Sequence, residues 1–510
     1  MFHSDDLSHE ITVKIEKVHF GVSVFIIPQR YVLGIMGLWA VCNAYTMRVC
    51  LNLAVTQMVK NSVNSSGHFD PYACPDDSEI TVNGTHAIFE WSESTQGLIL
   101  SGFYYGYAIT HVPGGYLAER YGGKWTLGIG LLSTAVFTLL TPVVVKAGGA
   151  TWLFILRVLQ GMGEGPTMPA LMIVLARWVP PHERGRQGAI VFGGAQIGNI
   201  FGSFMSGFLM AGDGDWANVF YFFGLFGIVW FFLLCYSTPN THPYISDEEL
   251  KYLNEHVTSS EKSSIRDPVP WKAIVRSVPV WALLFAAVGH DWGYYTMVTD
   301  LPKYMTDVLK FNIAATGTLT AIPYLAMWIS SFIFGLVCDY CTVSCLSIIL
   351  SVTGLLVSFS AATGPAICII LASYAGCDRL AAVAYFIASM ALMGGFYSGM
   401  KVNALDLAPN YAGSLTAMIN GTSTISGIIT PYLIGLLTPD STLAEWRVAF
   451  WVCFAVLVGT NVVYCFWADG KQQWWDDVKQ YGYPDDWKHG SLSKSDTDKE
   501  KSKKAEATSL

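Results

Sequence analysis

Twelve times along this chain, a stretch of roughly twenty residues passes almost without charge, the length a helix needs to cross the hydrocarbon of a bilayer. Windows of that length place the stretches near 31–59, 94–118, 125–145, 151–176, 188–210 and 216–237. A polar interval at 238–277 follows, then six more near 278–301, 315–337, 344–363, 381–403, 412–437 and 447–468. Lipid offers the backbone no water to bond, so such stretches have to be helices. The expected fold is all-α and polytopic, with twelve transmembrane helices in two six-helix halves, 31–237 and 278–468, joined by the linker 238–277. Residues 1–30 and 469–510 are expected as tails. The second is expected to be largely disordered, since 489–510 is rich in Ser, Lys, Asp and Glu without an apolar face. Trp474 and Trp475, just past the last stretch, suit the aromatic belt at a membrane interface.

Only 13% of the 510 residues are charged and 52% are hydrophobic. Soluble domains carry roughly 25% charged residues, so lipid has to cover much of this surface. The net charge of -8 comes from loops and tails, and no basic domain stands out, which argues against a nucleic-acid partner. The eleven cysteines form neither a CxxC pair nor a Cys/His metal spacing. Most read as small buried hydrophobes; Cys74 and Cys377, in loops, are the candidates for a disulfide. The N-terminal residues lack a signal-peptide layout, so the first apolar stretch is expected to insert and stay.

Basic residues set the orientation. Arg120, Lys124, Arg177, Arg184, Arg186, Lys251, Lys262, Arg266, Lys272 and Arg276 fall on one side, against Lys60, Lys146, Lys303, Lys310 and Arg379 on the other. The positive-inside rule makes the first side cytoplasmic, and both termini with it. The loop from Cys338 to Cys345, on that side, has no Lys or Arg. The long first outer loop carries two glycosylation sequons, at Asn64 and Asn83, which are usable only on the lumenal or outer face.

The halves echo each other. Gly115-x-x-x-Glu119 is matched by Gly335-x-x-x-Asp339, and Trp216-x-x-x-Phe220 by Trp446-x-x-x-Phe450, at offsets of 220 and 230 residues. A parallel repeat of six-helix halves is the plan of major facilitator transporters, whose site lies at the midplane between halves. The segment Gly114 to Lys124 resembles that superfamily's loop signature, with Glu119 where Asp is usual. Gly115 and Gly122 allow a tight turn, and Glu119, Arg120 and Lys124 can pair as the halves close. These five residues form the expected gating motif.

Charge inside a span marks the site. Arg157, Gln160 and Glu164 share one face of the fourth span. A charge in hydrocarbon costs about 2.5–3.5 kcal/mol on insertion scales, so that face is expected to line a polar cavity; the structural alternative is an ion pair locking helices together. Gly161, Gly163 and Gly165 permit close helix approach, and Pro166 is placed to kink the helix. Arg48 stands near the middle of the first span with no acid in its own helix. With Arg157 and Glu164 reading as each other's partner, Arg48 is the freer cation, and its fork suits a carboxylate or phosphate. Tyr45 and Tyr295 complete the candidate substrate-binding set, with Glu164 as the ion-coupling residue. His290 and Asp291 could relay protons but read better as satisfied pairs, and His111 as a packing residue. The Gly/Ser-rich runs 193–207 and 413–427 read as packing faces. No Walker-type motif and no nucleophile–base set is present, which argues against ATP drive and against an enzyme.

Taken in order, Tyr45-Thr-Met-Arg48, Gly106 to Thr110, Pro113-Gly-Gly115, Arg157 to Gly165, Trp178-Val-Pro-Pro181, Glu183-Arg184, Gly194-Ala-Gln196, the seventh span and Leu405 to Gly413 resemble solute carrier family 17. This is the anion:cation symporter branch, which includes sialin and the vesicular glutamate transporters. Lys401 to Asp406 looks most like the insect inorganic phosphate cotransporters, and Gln160 stands where sialin-like proteins have Glu. The resemblance implies that Arg48 and Arg157 contact a small anionic substrate and that Glu164 takes part in coupling. The expected function is symport of inorganic phosphate or a small organic anion with Na⁺ or H⁺ by alternating access, with no bound cofactor. Two alternatives stand beside it: a vesicular or lysosomal proton-coupled carboxylate carrier, and a non-transporting anion sensor on a transporter scaffold. The lack of an acidic dileucine signal in the N-terminal tail favours the plasma membrane. Besides membrane lipid, a PDZ-type domain at Thr508-Ser509-Leu510 is the partner the chain end suggests.

Asn64 and Asn83 are expected to carry glycans. Asn→Gln at both positions should remove an endoglycosidase-sensitive mass shift, and a first loop accessible from the cytosol would reverse the orientation.

Overall fold

The computed structural model describes residues 28–59, 74, 88–180, 183–212, 214–233, 245–256, 269–344, 347–398 and 400–477. Asn64, Asn83 and the C-terminal Thr508-Ser509-Leu510 lie outside the described residues.

The first half comprises α1 (Gln29–Met58), α2 (Glu93–Tyr121), α3 (Gly123–Glu164), α4 (Thr167–Trp178), α5 (Arg184–Leu209) and α6 (Ala217–Phe232). The long α3 is two helices meeting at Gly149, whose φ of 64° is the left-handed region that glycine enters freely. Its two arms are the expected third span and most of the fourth, and Pro166 interrupts the fourth before α4. Gly122, at φ 94°, makes the tight turn expected between α2 and α3.

Two short helices, α7 (Asp247–His256) and α8 (Trp271–Arg276), belong to the linker. The second half begins with α9 (Val278–Tyr295), which continues through a π-helical turn at Thr296–Asp300 into α10 (Leu301–Asp307). It goes on with α11 (Ile313–Ser344), α12 (Ser347–Tyr374), α13 (Arg379–Met393), α14 (Gly395–Ser398), α15 (Met400–Leu407), α16 (Ala412–Leu437) and α17 (Leu443–Trp467). By length and apolar composition, five described stretches can cross a membrane: Gln29–Met58, Gly123–Trp178, Arg186–Leu209, Ile313–Val337 and Leu443–Trp467.

Each expected span falls on helix, but three run several residues further than the sequence windows, the eighth reaching Ser344 rather than 337. The seventh continues past Leu301 to Asp307, because Pro302 stands in the first turn of α10, where its missing N–H leaves no bond unmade. The ninth runs to Tyr374 rather than 363, with Gly364-Pro365 inside the helix instead of ending it. Neighbouring helices make such breakers tolerable in membrane proteins.

Each half packs its own core. Trp178, Trp216, Phe223 and Trp230 are buried in the first; Tyr304, Phe386, Trp446 and Phe450 fill the second. The repeated Trp/Phe pairs do the same job in both, with ring centroids 6.0 Å apart for Trp216–Phe220 and 5.6 Å for Trp446–Phe450. Gly194, Gly198 and Gly202 let α5 lie against α1, as a packing face should.

The halves meet at the end where the sequon loop attaches. A methyl on Gly207 of α5 would stand 2.8 Å from the Cα of Gly317 of α11, and one on Gly427 of α16 would be 2.8 Å from the ring of Tyr104. Lys303 of α10 pairs with Glu93 of α2, and Asn52 of α1 donates to the Val298 carbonyl in the π-helical turn at 2.8 Å. Toward the other end the facing stretches part: Gly413 and Gly421 look onto open space, and Glu119 and Arg120 are exposed. The conformation is closed outside and open on the side that the charges mark as cytoplasmic.

On that open side each half is braced. Glu249 of α7 accepts from the backbone N–H of Gln29 (2.8 Å) and Arg30 (3.2 Å), capping α1, while Arg30 pairs with Glu183 at 3.2 Å. In the second half Asp476 accepts from the N–H groups of Asn410 (3.0 Å) and Tyr411 (3.3 Å). Trp475 is buried with Ile274, Leu407 and Tyr464. This corrects its reading as a belt residue facing the membrane interface. The chain just past α17 folds back on the protein because Asp476 accepts from the N–H groups that precede α16.

Cys74 is bonded to Cys377 in the loop before α13, with Cα atoms 5.2 Å apart. Disulfides persist in oxidising compartments, in agreement with an outward first loop. The bond joins the two halves covalently, so cutting an engineered protease site between Lys262 and Arg266 should leave one species on a non-reducing gel and two fragments after reduction. In Cys377→Ser the fragments should part without reductant; parting in the unmodified chain would show that the bond does not form.

Candidate functional site

The charges expected in the first and fourth spans meet in the middle of the first half. Both Nε (3.1 Å) and Nη2 of Arg48 donate to Glu164 Oε1, and Glu164 Oε2 has no hydrogen-bond partner. Three aromatic faces enclose the guanidinium, with Cζ 4.5 Å from the ring centroid of Tyr45, 4.9 Å from Phe103 and 5.0 Å from Tyr107. A cation over an aromatic face gains about 0.5–2 kcal/mol, more when desolvated. The rings therefore replace part of the water Arg48 has lost.

Arg157 does not pair with Glu164, contrary to the expectation from their shared helix face. They lie seven residues apart, a rise of about 10.5 Å along an α-helix, whereas Gln160 is one turn away. Arg157 donates Nη1 to Gln160 Oε1 (3.2 Å) and Nη2 to the Arg48 carbonyl (3.3 Å). Gln160 in turn donates Nε2 to the hydroxyls of Thr138 and Thr141, both at 3.3 Å. Arg48 is thus the ion-paired cation, and Arg157 is the one held by neutral groups.

The second half closes the site with aromatic and hydroxyl groups. Tyr295 packs edge-on to Tyr104 at 4.7 Å, and Tyr294 accepts from Asn199 Nδ2 of α5 at 2.8 Å. Arg48, Arg157, Glu164 and Tyr45 are brought together, and Tyr295 joins them through Tyr104. The sequence reading missed Phe103, Tyr104 and Tyr107; their signal is the i, i+4 pair 103/107 on the face of α2 that meets α1 and α3. His111 bonds the Gly165 carbonyl through Nδ1 (3.2 Å), the packing role expected of it, and His290 stacks flat on Phe396 at 3.7 Å. In the gating motif, Arg120 donates to Tyr116 of its own helix at 3.2 Å, and Lys124 lies 5.2 Å from the Trp125 ring centroid. No cluster of metal-ligating residues occurs among the described residues.

Residues 37–431 match the family described as Major Facilitator Superfamily. The chain belongs to that superfamily. It is 38% identical to a Drosophila melanogaster protein named "Putative inorganic phosphate cotransporter", over 88% of this chain and 86% of that protein. It is 37% identical to human sialin, over 89% of this chain and 92% of sialin. Among solved structures, a bacterial homologue of the human lysosomal transporter Spinster aligns with a TM-score of 0.63 at 14% identity, covering 86% of this chain and 96% of that one. The relatives place the chain in solute carrier family 17. It is a membrane-embedded transporter of the phosphate and anion cotransporter group, and not an enzyme.

Removing one member of a buried ion pair leaves the other uncompensated and costs about 3–5 kcal/mol. Arg48→Ala is therefore expected to lower the unfolding temperature of the detergent-solubilised carrier sharply, and Arg48→Ala/Glu164→Gln to recover much of that loss. Equal losses in the single and double variants would show that the two groups do not depend on each other.

Proposed function

We propose that this carrier moves inorganic phosphate or a small organic anion together with Na⁺ or H⁺, by alternating access. The observation that carries the reading is the single shared oxygen between Glu164 and Arg48. A guanidinium whose fork is met by one carboxylate oxygen can exchange that oxygen for a substrate oxyanion, and two parallel bonds then favour phosphate or carboxylate. The unpartnered Glu164 Oε2 is where a coupling ion acts. A proton or Na⁺ on that carboxylate weakens its hold on Arg48, so ion and anion favour each other's binding. The two ions are co-substrates, and no resident cofactor enters the scheme.

The reverse motion separates Glu93 from Lys303 and Asn52 from the Val298 carbonyl, while Glu119, Arg120 and Lys124 close the cytoplasmic side around Gly115 and Gly122. Arg157, Tyr45 and Tyr295 complete the substrate contacts. The names of the insect relative and of sialin support an anionic substrate, and phosphate is favoured because Lys401 to Asp406 resemble the insect proteins and Gln160 departs from the Glu of sialin-like ones. The plasma membrane is the proposed location.

Purified protein in proteoliposomes, offered labelled phosphate, glutamate and sialate under separate Na⁺ and pH gradients, tests substrate class and coupling together. Glu164→Gln should abolish uphill accumulation and leave substrate exchange partly intact. Arg48→Lys keeps the charge but loses the fork, and should raise the apparent substrate constant about tenfold, a loss of about 1.4 kcal/mol. Wild-type accumulation by the Glu164→Gln protein would reduce that residue to a structural one.

A further inference from the structure

Arg157 is 2% exposed, and no carboxylate lies within ion-pair distance of it among the described residues. Its Nε–H has no hydrogen-bond partner. Its guanidinium shares the Phe103 ring with Arg48, at 5.0 and 4.9 Å from the same centroid, so both cations belong to one buried group. Glu164 answers one of the two. Glu164 acts on Arg157 through space, without a hydrogen bond between them, and Asp291, across the seam, is within electrostatic reach of Tyr45 and Tyr295.

What stands beside Arg157 is the amide of Gln160. Nothing steric demands an amide at that point. A carboxylate of the same shape would accept from Arg157 equally well, and the Thr138 and Thr141 hydroxyls, which here donate to the Thr134 and Phe137 carbonyls, would turn from those carbonyls to donate to it. The amide supplies an oxygen to orient Arg157 and withholds the negative charge that would neutralise it. A buried cation left without a counter-charge is costly, and that cost is relieved when an anion arrives.

We propose that Gln160 is the charge-setting residue of the site: it keeps Arg48, Arg157 and Glu164 at one net positive charge, so the pocket selects an anion of one net negative charge while Glu164 is ionised. Neutralising Glu164 with a proton raises the site to two positive charges and admits a doubly charged anion. Gln160 acts through Arg157, by the charge it withholds from that guanidinium and not by holding it in place. The proposal rests on the anion-transport reading above.

The test compares two substitutions whose order reverses between the charge role and a structural one. In proteoliposomes exchanging labelled phosphate, glutamate or sialate at equal concentrations on both sides, Gln160→Glu keeps shape and acceptor but cancels the net charge. Gln160→Met loses the hydrogen bonds but keeps the charge. The expected result is an apparent constant raised about tenfold or more by Gln160→Glu, with a much smaller change in maximal rate, and a shift within about threefold for Gln160→Met. Gln160→Glu/Glu164→Gln restores the net charge and should return the constant to near that of Gln160→Met. Arg157→Gln removes the same net charge from the other partner, and should weaken affinity likewise if Gln160→Glu fails to fold. The opposite order, with Gln160→Glu close to wild type and Gln160→Met impaired, would overturn the proposal and leave Gln160 as a bracket for Arg157. A wild-type protein that exchanges none of the three anions would instead overturn the transport reading, and this inference with it.

Discussion

The guanidinium of Arg48 and the carboxylate of Glu164 face each other where hydrocarbon, not water, surrounds the bundle, and neither could be there alone. Taking two charges out of water costs several kcal/mol each, and their attraction offsets this only when the remaining polar atoms are also satisfied. The first half is arranged around that requirement. Tyr45, Phe103 and Tyr107 present ring faces to Arg48. The helices that carry these residues must approach closely enough to deliver them, and the mutual packing of Gly106 and Gly161 lets α2 and α3 do so. The same arrangement leaves Glu164 Oε2 and Arg157 Nε without partners. In a purely structural ion pair such omissions would be defects; in the transport scheme proposed above they are the places where transported species act.

Much of this was legible in the sequence, and the part that was not has a physical reason. Apolar length located the helices, since a bilayer imposes one dimension on every span. The turn at Gly122 and the break at Pro166 follow from backbone chemistry that a single residue reveals. Face-sharing of Arg157, Gln160 and Glu164 was equally readable, and all three are buried. Who pairs with whom was not, because a helical face specifies direction but not height. Two turns separate Arg157 from Glu164, and Arg48 enters at the level of Glu164 from another helix. The aromatic enclosure was hidden for a related reason: in a chain with 14% aromatic residues, Phe103, Tyr104 and Tyr107 look like ordinary lipid-facing or core residues until a cation is placed beside them.

In each half the chain that follows the last span folds back as a brace. Past the sixth span, Glu249 caps the start of α1 and Arg30 ties it to Glu183; past the twelfth, Asp476 holds the backbone before α16. The two braces fall at different places in their halves, the start of the first span and the start of the eleventh, so no sequence repeat displays them. Each stiffens its own half and neither bridges to the other, so relative motion concentrates at the seam. There the described polar bonds are few: Glu93–Lys303, Asn52 to the Val298 carbonyl, and Asn199 to Tyr294. A hydrogen bond contributes about 0.5–1.5 kcal/mol net, so these polar bonds together hold the outer side shut by only a few kcal/mol. The rest of the seam is close helix packing, as where Gly207 meets Gly317 and Gly427 meets Tyr104. Apolar contact of that kind is non-directional, so packing on the opposite side can replace it as the halves rock. The small difference left between the two states is what the proposed binding of an anion and one ion can reverse.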